Sequence, residues 1–251
     1  MSTEDHKPKN ETARSDADGN TRLSSLPVRS FVRREGRLTR AQQRALDDLW
    51  PQFGIEYTGQ PLELDALFAR SANTVIEIGF GNGESLAQCA QDAPDTNYIG
   101  IEVHRPGVGH LLLEIEQRGL TNVRVMCHDA VEVLTNQLAP GSLAGLNLFF
   151  PDPWPKKRHH KRRIVQQPFL GLVASRMKAG ARLHVATDWE NYAEHIFDTL
   201  EASPHFSNTA GGADFNSASV PRPEFRPPTK FERRGERLGH SVWDFIYEKT
   251  S

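Results

Sequence analysis

The sequence predicts an α/β protein with a mostly parallel twisted sheet and helices on both faces. Two observations carry that expectation. Short apolar runs alternate with helix-length periodic segments from Thr74 to Leu200, and strands spaced by helices imply a parallel sheet covered on both sides. The first of these runs empties into a glycine turn, and three strand ends carry or lead into a carboxylate: Glu77, Glu102 and Asp129.

Residues 1–26 are polar, mixed in charge and poor in large apolar side chains. They bury too little surface to offset ordering entropy, so a disordered tail is expected. Residues 27–73 read as a basic arm and a helical segment. The arm from Arg29 to Arg40 holds five arginines among Phe31, Val32 and Leu38. Thr39 with Gln42 fits a capping box. It would open a helix through Leu46, Leu49 and Trp50, which Pro51 helps to stop.

The domain expected over 74–251 begins with strand Val75–Ile78, turn Gly79-Phe80-Gly81-Asn82-Gly83 and helix Glu84–Ala90. Strand Tyr98–Glu102 precedes helix Val108–Gln117, with Gly119 as its stop. Strand Val123–Cys127 leads to helix Ala130–Leu138, and strand Leu146–Phe150 to helix Val165–Met177. Strand Leu183–Ala186 leads to helix Asn191–Leu200. Phe206 to Pro228 reads as loop, and Val242–Tyr247 as a last strand.

The chain has 251 residues and a net charge of -2, so nucleic-acid affinity would have to come from local clusters. Its two cysteines are too few for a disulfide framework or a cysteine zinc site. No metal is expected. No apolar run approaches the ~18 residues of a membrane span, and no secretory signal is evident. These features predict a soluble cytoplasmic protein.

Ligands of open α/β sheets bind beyond the carboxyl ends of the strands. Gly79, Gly81 and Gly83 would let backbone approach a ligand closely. Their G-x-G-x-G spacing is not the G-x-G-x-x-G of a pyrophosphate turn. It suits S-adenosylmethionine, which lacks phosphate and needs acceptors for ribose hydroxyls, an adenine amine and an ammonium group. Glu77, Glu102 and Asp129 supply such acceptors. A plain structural turn, or a nicotinamide site, stays open at this point.

The fourth strand ends in Pro151-Asp152-Pro153-Trp154-Pro155. Asp152 and Trp154 each precede a proline, which predicts extended backbone at both. Asp152 would accept hydrogen bonds from a bound base and Trp154 would stack on it. The plainer alternatives are a capping aspartate and a half-buried core tryptophan. Six Lys or Arg follow among the eight residues from Lys156 to Arg163. At the active edge of a sheet, such a run points to phosphate contact.

Taken together, Glu77 to Gly83, Gly100 to His104, Phe149 to Lys156 with its basic tail, Ala186 to Glu190, and Thr229 to Glu232 resemble the bacterial tRNA (guanine-N7)-methyltransferase family. The resemblance runs from about Arg29 to Glu248. It implies a Rossmann-like class I methyltransferase fold with a C-terminal antiparallel strand, S-adenosylmethionine as cofactor and tRNA as partner. It implies cofactor contacts at Glu77, Glu102, Asp129 and Asp152, with Asp152 catalytic. Substrate positions would be Lys156, Asp188, Thr229, Lys230, Phe231 and Glu232. Arg158, Lys161, Arg162 and Arg163 would contact RNA. The implied target is the variable-loop guanosine at position 46. A non-catalytic RNA-binding module and an amino-group methyltransferase are the competing expectations.

Overall fold

A computed structural model describes residues 30–31, 36–229, 232 and 241–251. The 1–26 tail, Arg29, Val32, Arg33 and Arg34 of the arm, and Lys230 and Phe231 lie outside the described residues. Helix α1 (Arg40–Asp48) starts with the expected capping box. The Thr39 hydroxyl accepts from the Gln42 backbone, and the Gln42 side chain accepts from the Thr39 backbone. Pro51 does not stop this helix. It sits in the first turn of a second one, α2 (Trp50–Phe53), where a missing N–H leaves no bond unmade.

Two residues, β1 (Gly54–Ile55), and a short α3 (Leu64–Phe68) precede the alternating region. Then come β2 (Thr74–Ile78), α4 (Glu84–Asp92), β3 (Asn97–Ile101), α5 (Arg105–Arg118), β4 (Val123–Met126) and α6 (Ala130–Asn136). Next are β5 (Leu143–Phe149), a 3-10 helix (Lys157–Arg162), α7 (Gln167–Arg176), β6 (Met177–Thr187) and α8 (Glu190–Glu201). The chain closes with β7 (Phe206–Asn208) and β8 (Trp243–Lys249). Gly119 ends α5 at a φ of 63°, as a left-handed cap should.

The strands form one sheet in the order β1-β4-β3-β2-β5-β6-β8-β7. All neighbours are parallel up to β6, while β8 runs antiparallel to β6 and β7 antiparallel to β8. β1 ties the N-terminal helical segment into the sheet through β4. β7 corrects the loop expected to start at Phe206, because buried Phe206 pairs with Lys249.

One sheet face packs Ile76, Ile78, Leu146, Leu148, Leu183 and Val185 against Val133 of α6, Val173 of α7 and Ile196 of α8. The other face packs Tyr98, Val123 and Val125 against Ala45 of α1, Leu86 of α4 and Leu112 of α5. Burial of each large aliphatic side chain contributes ~1.5–3 kcal/mol. The strand order reverses between β2 and β5. The glycine turn after β2 and the proline-rich loop after β5 therefore flank the switch point, where such sheets take ligands.

Candidate active site

The turn after β2 combines two kinds of glycine. Gly79 and Gly81 have φ values of 71° and 60°, and a Cβ on either would meet nothing within 4 Å. Both therefore leave open space beside the strand end. Gly83 serves packing instead, since a Cβ there would run into Leu111 of α5. Gly107, in the first turn of α5, lets that helix press directly on the Gly81 carbonyl.

Glu102, just past β3, braces this turn. One carboxylate oxygen accepts from Gly81 N at 3.1 Å, and the other accepts from the Val103 and His104 amides at 2.6 and 3.0 Å. Asp129 caps α6 by accepting from Val131 N at 2.9 Å. Glu77 faces the interior, 2% exposed, and its Oε2 has no hydrogen-bond partner among the described residues. Burial lifts its carboxyl to about 8 against the pull of Arg226.

These features fit S-adenosylmethionine. Three acidic side chains along adjacent strand ends suit hydroxyl and amine groups, and the Glu102 and Asp129 carboxylates would repel a pyrophosphate. The open faces of Gly79 and Gly81 and the orphan oxygen of Glu77 leave the room and the acceptor that such a group needs.

Asp152 is exposed on the loop after β5. Two non-glycine residues in the left-handed region bracket it: Phe150 at φ 51° and Trp154 at φ 46°. Each costs on the order of 1–3 kcal/mol, and strain of this kind concentrates at functional sites. The extended backbone expected at Trp154 is thus not found. Its indole is drawn to the chain itself: Nε1 donates to the Ser30 carbonyl at 3.0 Å, and the Arg162 guanidinium lies 3.9 Å over the ring. One face of the tryptophan expected to stack on a base is thus covered by Arg162.

The basic run splits by direction. In a 3-10 helix, residues three apart share a face, and Arg158 and Lys161 project outward, as do Lys156 and Lys157. Arg162 turns inward to Trp154 and to the Phe31 carbonyl. Arg163 departs furthest from the expected phosphate contact. It is 3% exposed and donates to Pro153 O, Asn191 O and Asn191 Oδ1. It also lies over the Tyr192 ring at 4.8 Å. It therefore ties the Asp152 loop to the head of α8, beside half-buried Asp188.

Glu232 is likewise internal, 2% exposed. Both its oxygens accept from Arg226, at 2.7 and 2.8 Å, and it exchanges hydrogen bonds with Thr229. Arg226 also holds Asp244, which pairs with His184 Nε2 at 2.7 Å. Burial pushes the His184 imidazole below its ordinary value. The strand register aligns His184 with Asn147 and Asn147 with Glu77. A polar row thus runs across β2, β5 and β6 and continues through Asp244 and Arg226 to Glu232 and Thr229. Sequence reasoning missed Arg226, His184, Asn147 and Asp244. For Asn147 and His184 the available signal was a polar residue set between apolar neighbours in a strand.

Among the described residues, no group of three or more His, Cys, Asp or Glu could hold a metal ion, and no helix is long and apolar enough to cross a membrane.

A family model described as "Putative methyltransferase" matches residues 71–245. A tRNA (guanine-N(7)-)-methyltransferase of Alkalilimnicola ehrlichii is 60% identical over 225 residues, covering 89% of this chain and 93% of the relative. One of the same name from Alcanivorax borkumensis is 56% identical, covering 94% and 97%. Among solved structures, the 16S rRNA methyltransferase KamB superposes with a TM-score of 0.53 at 15% identity, over 75% of this chain and 93% of that one. That last likeness concerns the fold alone.

Proposed function

The chain belongs to the bacterial tRNA (guanine-N7)-methyltransferase family, and from that premise we propose that it methylates the variable-loop guanosine at position 46, with Asp152 at the reacting base. The family reaction moves a methyl group from S-adenosylmethionine to guanine N7 of tRNA. The observation that carries the reading is the exposed, strain-flanked Asp152 on the loop that leaves β5, the neighbour of the strand that ends in the open glycine turn, and runs on into the outward cations Arg158 and Lys161.

S-adenosylmethionine supplies an electrophilic methyl group on a sulfonium. Glu77, Glu102 and Asp129 would hold its polar groups, with Gly79 and Gly81 giving it room. Guanine N7 has a free lone pair and no proton to lose, so no strong base is needed. The enzyme's task is alignment. The purine becomes cationic on methylation, and the Asp152 carboxylate opposes that charge or orients the base through its N–H groups. Lys156, Arg158 and Lys161 contact phosphates around the target, and Asp188 contacts the base. Thr229 contacts it too, from a segment that Arg226 and Glu232 hold in place. N7 faces a deep, narrow groove in A-form RNA, so a guanosine in a loop suits this exposed site.

The test is to incubate the protein with labelled S-adenosylmethionine and tRNA and analyse the nucleosides. The expected product is 7-methylguanosine at position 46, nearly abolished by Asp152→Ala without change in unfolding midpoint. Label on another guanosine would overturn the position. Full activity of Asp152→Ala would remove that residue from the mechanism.

A further inference from the structure

We propose that Trp189 is the platform on which the target guanine stacks once it leaves the RNA. The proposal deepens the function just assigned and rests on it. A base presented to an enzyme gives up its stacking neighbours, at a cost of a few kcal/mol that a replacement π-face offsets.

Phe149 is 7% exposed and Tyr192 is fully buried. Phe150 is half-buried, with the Arg226 guanidinium 5.7 Å from its ring centre. Trp154 carries Arg162 on one face and stands perpendicular to the His159 ring, 5.9 Å between centroids. Trp243 packs on Phe215 and donates its Nε1 to Asn216. Trp189 differs from all of these. It is 40% exposed, one of three large apolar side chains left so among the described residues. No described ring or guanidinium packs on its indole.

Its backbone is nonetheless fixed. Trp189 N donates to Thr187 Oγ1, and its carbonyl accepts from the Tyr192 and Ala193 amides at the start of α8. It directly follows Asp188. The Arg163 guanidinium locks Asn191, two residues on, to Pro153, the neighbour of Asp152. A held backbone with a partly exposed indole, on the segment that Arg163 ties to the reacting loop, is what a stacking contact requires.

The experiment compares wild type, Trp189→Phe and Trp189→Ala as full chains. It uses intact tRNA and tRNA made abasic at the methylated position. Expected are an unchanged unfolding midpoint in all three and a loss in kcat/KM of about 10- to 100-fold for Trp189→Ala. Trp189→Phe should recover most of that loss. Wild type should bind intact tRNA more tightly than abasic tRNA, and Trp189→Ala should lose that preference. Wild-type kcat/KM in Trp189→Ala would overturn the proposal, as would equal weakening toward both tRNAs. A wild-type protein forming no 7-methylguanosine would overturn the functional assignment, and the proposal with it.

Discussion

Arg163 and Asn191 are joined twice, through the backbone carbonyl at 3.3 Å and the side-chain oxygen at 2.8 Å. The same guanidinium reaches Pro153 O at 2.9 Å. A single side chain thus sets the spacing between the loop after β5 and the head of α8. Arg163→Ala should destabilise the protein by about 2–3 kcal/mol, because three acceptors lose a charged donor. Denaturant unfolding would measure it, and a change under 0.5 kcal/mol would show that the clamp is slack.

Lys161 lies two residues earlier and faces out. Lys161→Ala and Arg158→Ala should leave stability within about 0.5 kcal/mol. Each should lower the slope of log affinity for tRNA against log salt by about 1. Binding titrations at several salt concentrations would show it. An unchanged slope would take these cations off the RNA surface.

Gly107→Ala would press a methyl group against the Gly81 carbonyl. Backbone cannot yield as a flexible side chain does, so the glycine turn must move. The expected result is a loss of S-adenosylmethionine affinity of at least tenfold by calorimetry, with the fold retained by circular dichroism. Unaltered affinity would mean that the turn does not touch the cofactor.

Glu77 titrates at about 8 in the folded protein and near its ordinary 4.5 when unfolded. The native state therefore holds the extra proton between those values. This contribution to stability is fully present below about 4.5 and is lost as pH rises through about 8, on the order of a few kcal/mol. Glu77→Gln should flatten that part of the curve of unfolding free energy against pH. Parallel curves for the two proteins would contradict the assignment.

Much of the sheet is legible in the sequence because its central strands are apolar runs set between periodic helices. β1 and β7 are two and three residues long, too short for any period to show. The basic run reads as one surface because side-chain direction is fixed by the 3-10 turn, not by composition. Trp154 and Pro51 fail for a related reason. Local rules give the preference of a residue, and a partner distant in sequence, such as Ser30 for Trp154, decides the outcome. The acids proposed for the cofactor, Glu77, Glu102 and Asp129, are legible because each stands at or shortly after the end of a readable strand.

The outward cations sit on a chain whose formal net charge is -2. A large polyanion drifting toward such a molecule would be drawn by local clusters of cations, this ridge among them, rather than by the overall charge. With the proposed phosphate contacts, arrival would be steered and the nucleic acid would dock already turned toward the proline-rich loop, so that ionic strength would govern how often productive encounters happen before any base is recognised.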